Sequence, residues 1–322
     1  MSTGTGNERE RGRDAAVPLE IPRAGWRDVL VRLKDAIRED RITLIAAGVA
    51  FYAMLALFPA MIVVVSVYGL VMDPEEIAAQ VRTVGVLPGD VRSILTGQLD
   101  ALARAPRGRL SLSLAFGVLA ALWSASAGMR ALVTGVNAAY SESETRGFVR
   151  LRGLAVVLTV GGSLVTVLAL AVIVALPVVA RRLPEPAGLL VSVLRWPLLA
   201  AVLIAGLAVL YRVGPSRKDA RWQWLSWGSV AATGLLLVGS ILSSVYASYA
   251  PAQNKTYGAF FGVIVLLFWL FLSAFAVLLG AELNAELELQ TRRDTTVGPP
   301  QPLGERGAYV ADHVAESPDA PA

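Results

Sequence analysis

Six long apolar stretches occupy most of the chain between Ile42 and Ala281, and the first runs to Met72 without a charged residue. A hydrocarbon core of about 30 Å needs roughly 20 helical residues, and every stretch is longer than that. The sequence therefore predicts an all-α polytopic membrane protein with six transmembrane helices. Arg195 and Pro197 make the fourth span the weakest. The predicted spans are approximately 42–72, 110–138, 153–180, 187–211, 222–250 and 256–281.

Composition agrees with this class and excludes several others. Hydrophobic residues make up 55% of the chain and charged residues 17%, so a soluble bundle would lack a polar face. There is no cysteine, and His313 is the only histidine. Thiolate or histidine metal sites and histidine-based catalysis are therefore not expected. No cofactor, nucleic-acid partner or enzymatic nucleophile–base pair is predicted.

The distribution of basic residues predicts the orientation. Fifteen Lys and Arg residues flank one set of helix ends and nine flank the other. Because the cytoplasmic side carries the excess, both termini are predicted to be cytoplasmic. The net charge of +4 is assigned to these juxtamembrane residues.

The regions outside the spans have different expected structures. Residues 1–24 and 291–322 are rich in Gly, Pro and charge, which predicts disordered tails. Residues 25–41 have the pattern of an amphipathic helix, which either lies on the cytoplasmic leaflet or packs under the bundle. The loop at 73–109 is long enough to predict two short extracytoplasmic helices.

Polar residues inside a span are costly and therefore informative. A polar stripe at helical spacing follows one side of the second span: Trp123, Ser126, Arg130, Thr134 and Asn137. Near the end of the sixth span, Glu282 and Glu286 lie one turn apart. Arg130 and Glu282 should lie at similar depth, which predicts an ion pair between them. Alternatively, Arg130 extends to lipid phosphates and the two glutamates are solvated.

Proline and glycine positions predict details of the helices. Pro59 removes a backbone donor inside the first span and predicts a kink. Gly258 and Gly262 form a GxxxG pattern, and Gly161 and Gly162 lie within the third span. Such small residues indicate close helix packing.

Three segments resemble a known family. They are AAGVAFYAMLALFP at 46–59, ALWSASAGMRALVTGVNAAY at 121–140 and YGAFFGVIVLLFWLFLSAFAVLLGAELNAE at 257–286. Through these segments, residues 25–290 of the chain resemble the YihY/BrkB family of bacterial inner-membrane proteins. The resemblance implies six helices with cytoplasmic termini, and links to virulence and to lipid movement. It also carries an older ribonuclease label, which a chain with one histidine does not support.

The leading hypothesis is transport or handling of an anionic amphiphile, a phospholipid or glycolipid. Membrane lipids are the expected partners, and the sequence leaves open whether the protein forms a homo-oligomer. Arg130 would attract the head group, and Ser126, Asn137 and Tyr140 would donate hydrogen bonds. The competing hypothesis is a non-transporting scaffold that maintains the envelope. The candidate substrate-binding residues are Trp123, Ser126, Arg130, Asn137, Tyr140, Tyr257, Glu282 and Asn284.

Overall fold

The computed structural model describes residues 11–71, 107–180, 184–249 and 258–316. Within these ranges the chain forms eight α-helices, one short 3-10 turn at Pro18–Glu20 and no strand. The helices are α1 (Arg23–Glu39), α2 (Ile42–Val71), α3 (Arg107–Ala139), α4 (Phe148–Ala180), α5 (Glu185–Val213), α6 (Trp222–Tyr249), α7 (Gly258–Glu288) and α8 (Tyr309–Asp312).

Helices α2 to α7 are each long and apolar enough to cross a membrane, judged by length and composition. They correspond in order to the six predicted spans, which confirms the predicted all-α polytopic class. The weakest predicted span forms one continuous helix, α5, with Pro197 inside it. Pro59 likewise lies inside α2, where the kink stays a prediction.

The chain divides into two compact units. One comprises Met1–Phe51 and Gly128–Ala322, and the other comprises Tyr52–Ala127. Trp123, Ser126 and Pro59 belong to the second unit, whereas the other predicted site residues belong to the first. The predicted loop helices at 73–106 and the candidate residue Tyr257 lie outside the described residues.

The first unit has an apolar core where α2, α3, α5, α6 and α7 meet. Its buried members include Ile42, Val136, Tyr211 and Leu278. Gly135 lets α3 approach closely, because a Cβ there would lie 2.6 Å from the Leu278 side chain and 2.9 Å from that of Ile45. Residues 140–152, 212–221 and 283–316, which comprise the ends of α4, α5 and α7 and the segments that join or follow these helices, lie near this core. Together with residues 11–41 they form one end of the unit, here called the tail face.

Helices α6 and α7 cross at two glycines that the spacing motifs did not identify. A Cβ on Gly280 would lie 2.6 Å from the Gly228 carbonyl oxygen and 2.9 Å from the Ala232 Cβ. By contrast, a Cβ on Gly161, Gly162 or Gly262 would meet nothing within 4 Å. Close packing was therefore wrongly predicted for these three glycines, because sequence spacing does not show which side of a helix meets a neighbour.

Helix α1 packs on the bundle, as one of the two sequence alternatives proposed. Val29 is fully buried with Trp224 and Leu287, and the Trp26 ring meets the Trp227 ring edge-on at 5.4 Å. Another side of α1 leaves Leu30 and Val31 exposed. Helix α1 therefore combines a packed face with an apolar face that has no protein cover among the described residues.

The tails are folded where the structure describes them, in contrast to the predicted disorder. Arg306 donates to the carbonyls of Gln301, Arg292 and Ala311, and Val310 is fully buried. At the other terminus, Thr291 donates to the Ala15 carbonyl. Composition measures the capacity for apolar burial, so it missed segments that are held mainly by polar contacts.

Replacing Gly280 with alanine tests the α6–α7 crossing. We expect Gly280→Ala to lower the free energy of unfolding by about 1–3 kcal/mol, because the new Cβ meets backbone that cannot rotate away. The measurement is thermal unfolding of the purified protein in detergent, followed by intrinsic tryptophan fluorescence.

Gly161→Ala is the matched control, since its Cβ has open space and alanine favours the helix. It should leave the melting temperature unchanged or slightly higher. Equal losses for both variants would contradict the close crossing.

Candidate functional site

The last two turns of α7 carry four polar side chains that are all buried: Glu282, Asn284, Glu286 and Glu288. The intervening Ala281 and Ala285 are also buried, and their small size lets neighbouring segments approach this helix end. Residues four apart lie on one side of a helix, so Glu282 and Glu286 share one side of α7 and Asn284 and Glu288 share another. Three of them contact different segments: Asn284 contacts α6, Glu286 contacts α1 and Glu288 contacts the α5–α6 loop.

Glu286 attaches α1 to α7. Arg32 donates from Nε to a Glu286 carboxylate oxygen at 2.6 Å, and from Nη2 to the Gln290 side chain at 2.9 Å. Gln290 in turn donates to the Arg11 carbonyl. A charge-assisted contact of this kind fixes orientation as well as position. It explains why α1 packs against the bundle through its polar side as well as its apolar side.

Glu288 forms a fully buried ion pair with Arg217 of the α5–α6 loop. The guanidinium donates to both carboxylate oxygens, at 2.7 and 3.2 Å, and the two side chains are 1% and 0% exposed. Thr295 donates a further hydrogen bond to Glu288, and Arg217 lies 4.8 Å from the centre of the Tyr140 ring. A buried pair is tolerated when its remaining hydrogen-bonding capacity is satisfied, as it is here.

Asn284 joins α7 to α6. Its side-chain oxygen accepts a 2.8 Å hydrogen bond from the Gly228 amide, and its Nδ2 lies 3.4 Å from the Leu225 carbonyl. Asn137 plays a similar part at the end of α3. It donates to Glu144 at 2.9 Å and accepts from the Ser216 amide at 2.7 Å. Both predicted ligand amides are thus engaged by the protein.

Glu144 is the acid that organises the α3–α4 loop. Arg146 binds it through Nε at 2.7 Å and Nη2 at 2.8 Å, and also donates to the Gly214 carbonyl. The Arg146 guanidinium holds the pKa of the Glu144 carboxyl at about 2. Glu144 is therefore ionised across the neutral range.

Glu282 does not pair with Arg130, so the predicted ion pair is wrong. No ion pair within 4.0 Å joins these described residues. Glu282 is instead buried, and its Oε1 atom has no hydrogen-bond partner among the described residues. The prediction failed because the sequence indicates how deep Arg130 and Glu282 lie along their helices but not the direction in which each side chain points.

Arg130 has no protein counter-ion in the described structure. Its Nε atom is buried without a hydrogen-bond partner, and no hydrogen bond or ion pair joins its guanidinium to another described residue. The neighbouring polar groups of the stripe bond to backbone: Ser126 to the Trp123 carbonyl and Thr134 to the Arg130 carbonyl. Trp123 is 67% exposed and Tyr140 is fully buried. Within the first unit, Asn137 and Asn284 therefore contact different segments of the protein, and neither bonds to Arg130.

A groove between α6 and α7 was not found by sequence reasoning. It measures about 510 Å³ and is lined by Ser240, Ser243 and Ser244 on α6 and by Phe261, Gly262 and Trp269 on α7. Trp269 donates from its indole nitrogen to Ser240 at 3.0 Å. Ser226 and Ser229 bond to carbonyls four residues earlier, whereas the buried Ser243 hydroxyl has no partner. The sequence signal that could have indicated this groove was the presence of Ser240, Ser243 and Ser244 along one apolar helix.

The described residues offer no group of three or more His, Cys, Asp or Glu side chains able to hold a metal ion. His313 stacks on the Tyr309 ring at 4.0 Å, and its Nδ1 lies 2.9 Å from the Tyr309 carbonyl oxygen. This places the single histidine of the chain in the folded C-terminal segment.

Comparison with known proteins gives the family. The model for virulence factor BrkB matches residues 33–303. The ribonuclease-like protein YfkH of Bacillus subtilis is 31% identical over 253 residues, which cover 75% of this chain and 88% of that protein.

Two UPF0761 membrane proteins match over shorter segments. One, from Rhodospirillum centenum, is 31% identical over 38% of this chain and 27% of its own length. Another, from Tolumonas auensis, is 34% identical over 26% of this chain and 28% of its own length. No solved structure matches. The family match covers most of the chain, as the residue motifs implied, and this integral membrane protein belongs to the virulence factor BrkB family.

Proposed function

We propose that this chain binds and moves an anionic amphiphile, a phospholipid or glycolipid, in the bacterial inner membrane, with the tail face in the cytoplasm. The single observation that carries the proposal is the uncompensated guanidinium of Arg130. Cations within membrane spans normally pair with protein groups or reach lipid phosphates. An anionic head group would supply the counter-ion that the described protein does not.

The position of Arg130 fits a head group in the inner leaflet. It lies nine residues before the end of α3, about 14 Å of helix from the tail face. A guanidinium matches a phosphate through paired N–H donors, and it stays charged in an apolar setting. Arg130 is therefore assigned to the head group, whereas Asn137 and Asn284, which the protein already engages, are assigned structural roles.

The groove between α6 and α7 supports the same proposal. Successive spans cross the membrane in opposite directions, so the Ser240 end of α6 lies in the leaflet opposite the tail face. A groove of this kind, with apolar walls and hydroxyl groups, suits an amphiphile, whose chains are apolar and whose head group is polar. The unpartnered Ser243 hydroxyl provides a free hydrogen-bonding group there.

The scaffold hypothesis keeps one specific observation in its favour. Asn137, Asn284, Glu286 and Glu288 all join segments of the protein to each other. A protein that only stabilises the envelope would use polar groups in this way. The two functions differ in what Arg130 does, since a scaffold needs it for stability alone.

Neutralising Arg130 tests the head-group role. In liposomes containing purified protein, we expect Arg130→Gln to slow transbilayer movement of fluorescent phosphatidylglycerol about tenfold, the effect of losing one charge-assisted contact of about 1.4 kcal/mol. Movement of a zwitterionic phosphatidylcholine probe should change less.

The control is Arg150→Gln, which removes the same charge from an exposed position at the start of α4. It should leave both rates unchanged. If the wild type moves neither lipid, and Arg130→Gln lowers the melting temperature and the protein yield together, the scaffold function is supported instead.

Filling the groove tests the pathway independently of charge. Gly262 faces open space, so Gly262→Phe should occupy the groove without disturbing packing and should slow movement of both lipids at least tenfold. Gly161→Phe adds the same side chain at another open glycine and should have no effect. Normal rates in Gly262→Phe, with an unchanged melting temperature, would exclude the groove as the pathway.

A further inference from the structure

A side of α1 that the bundle does not cover carries a stripe of basic and apolar residues. Its members recur every three or four residues, which places them on one side of the helix, and all are exposed: Arg23, Arg27, Leu30, Lys34 and Arg38. Val31 is also exposed and lies next to Leu30. The two apolar residues therefore occupy the middle of the stripe, with basic side chains towards both ends of the helix.

The same side of α1 forms an open hollow of about 610 Å³. Trp26, Leu30 and Val31 supply its apolar lining, and its charged lining residues are Arg23, Arg27, Lys34 and Asp35. The Trp26 ring also meets the Trp227 ring of α6. The hollow therefore adjoins the surface of a membrane span.

Basic residues outnumber acids on the exposed surface of α1. Four basic residues of this helix are exposed, and the exposed acids are Asp35 and Glu39. Arg23, Lys34 and Arg38 form no side-chain hydrogen bond or ion pair with another described residue. The stripe therefore offers positive charge and apolar surface together.

Helix α1 lies beside the ends of two spans. The cluster that buries Val29 includes Leu283, five residues before the end of α7, and Ala231, nine residues after the start of α6, packs against it. The apolar segment Phe261–Glu288 has 28 residues, about 42 Å of helix, which matches a bilayer with its head groups. A two-residue turn also joins α1 to α2. These contacts place α1 at the level of the head groups.

We propose that this face of α1 is a docking surface for anionic lipid head groups of the leaflet beside the tail face. Lipid phosphates pair with Arg23, Lys34 and Arg38, while Leu30 and Val31 rest on the apolar boundary below the head groups. Positive charge around an apolar centre, at head-group depth, is complementary to an anionic bilayer surface. The proposal does not rest on the lipid function proposed above, because it concerns lipids that stay at the surface of the protein.

A spin label on α1 tests the docking in the full-length protein. The chain has no cysteine, so Val31→Cys provides a single labelling site. In liposomes of equal parts phosphatidylglycerol and phosphatidylcholine, the nitroxide should be shielded from a neutral, water-soluble nickel complex. In phosphatidylcholine alone, its accessibility to the complex should rise about threefold or more, because each basic residue near an anionic surface strengthens the attraction about fivefold.

Neutralising the basic residues should have the same effect as removing the anionic lipid. With Arg23→Gln, Lys34→Gln and Arg38→Gln combined in the labelled protein, the nitroxide in phosphatidylglycerol liposomes should become as accessible as in phosphatidylcholine. The three side chains are exposed, so the melting temperature in detergent should stay unchanged.

The matched control combines Asp35→Asn with Glu39→Gln, which changes the charge of the same helix without removing a partner for phosphate. The label should stay shielded in this variant. It should also stay shielded in Arg130→Gln, which separates failure of the docking surface from failure of the lipid function.

Equal accessibility of the Val31→Cys label in the two kinds of liposome would overturn the proposal. If both values are high, the face is open to a soluble partner, and if both are low, apolar contact alone covers it. A label that stays shielded by phosphatidylglycerol after the three basic residues are neutralised would also overturn it.

Discussion

The tail face of this protein depends on burying charge at one helix end. Glu288 is completely buried. It is stable there because Arg217 donates to both of its carboxylate oxygens and Thr295 donates a further hydrogen bond to one of them. The cost of removing two charges from water is several kcal/mol each, so partial pairing would not suffice. This pair fixes the α5–α6 loop and the segment after α7 relative to α7, and the other contacts of the tail face are built around that frame.

The acids of α7 differ in how they are compensated, and the differences assign their roles. Glu288 and Glu286 have arginine partners and act as structural links. Glu282 is buried, and its Oε1 atom has no hydrogen-bond partner among the described residues. Arg130 shows the opposite imbalance, a cation without an acid. The satisfied groups hold the helices together, while Arg130 is the position where we propose that a ligand supplies the missing charge.

Much of the fold could be predicted from the sequence because hydrophobic length determines a span with little help from other residues. All six helices were found, and the interrupted fourth span still formed α5. The polar contacts were predicted less accurately than the spans. Glu282 was recognised as important, but its surroundings depended on how α7 is rotated. Arg217 was counted only as one of the charges that predict the orientation, because nothing in the short loop Gly214-Pro215-Ser216-Arg217-Lys218 indicates its buried partner. The folded C-terminal segment was missed because Arg306 holds it through backbone carbonyls, which leave no apolar pattern.

A double-mutant cycle on Arg217 and Glu288 tests the central claim most directly. The free energy of unfolding would be measured in mixed micelles, with tryptophan fluorescence as the signal, for Arg217→Met, Glu288→Leu and the double variant. Each single change should destabilise the protein by about 3–5 kcal/mol, because it leaves one buried charge unpaired, and the double variant should lose no more than either single variant. Losses that simply add within about 0.5 kcal/mol would show that the two charges do not stabilise each other.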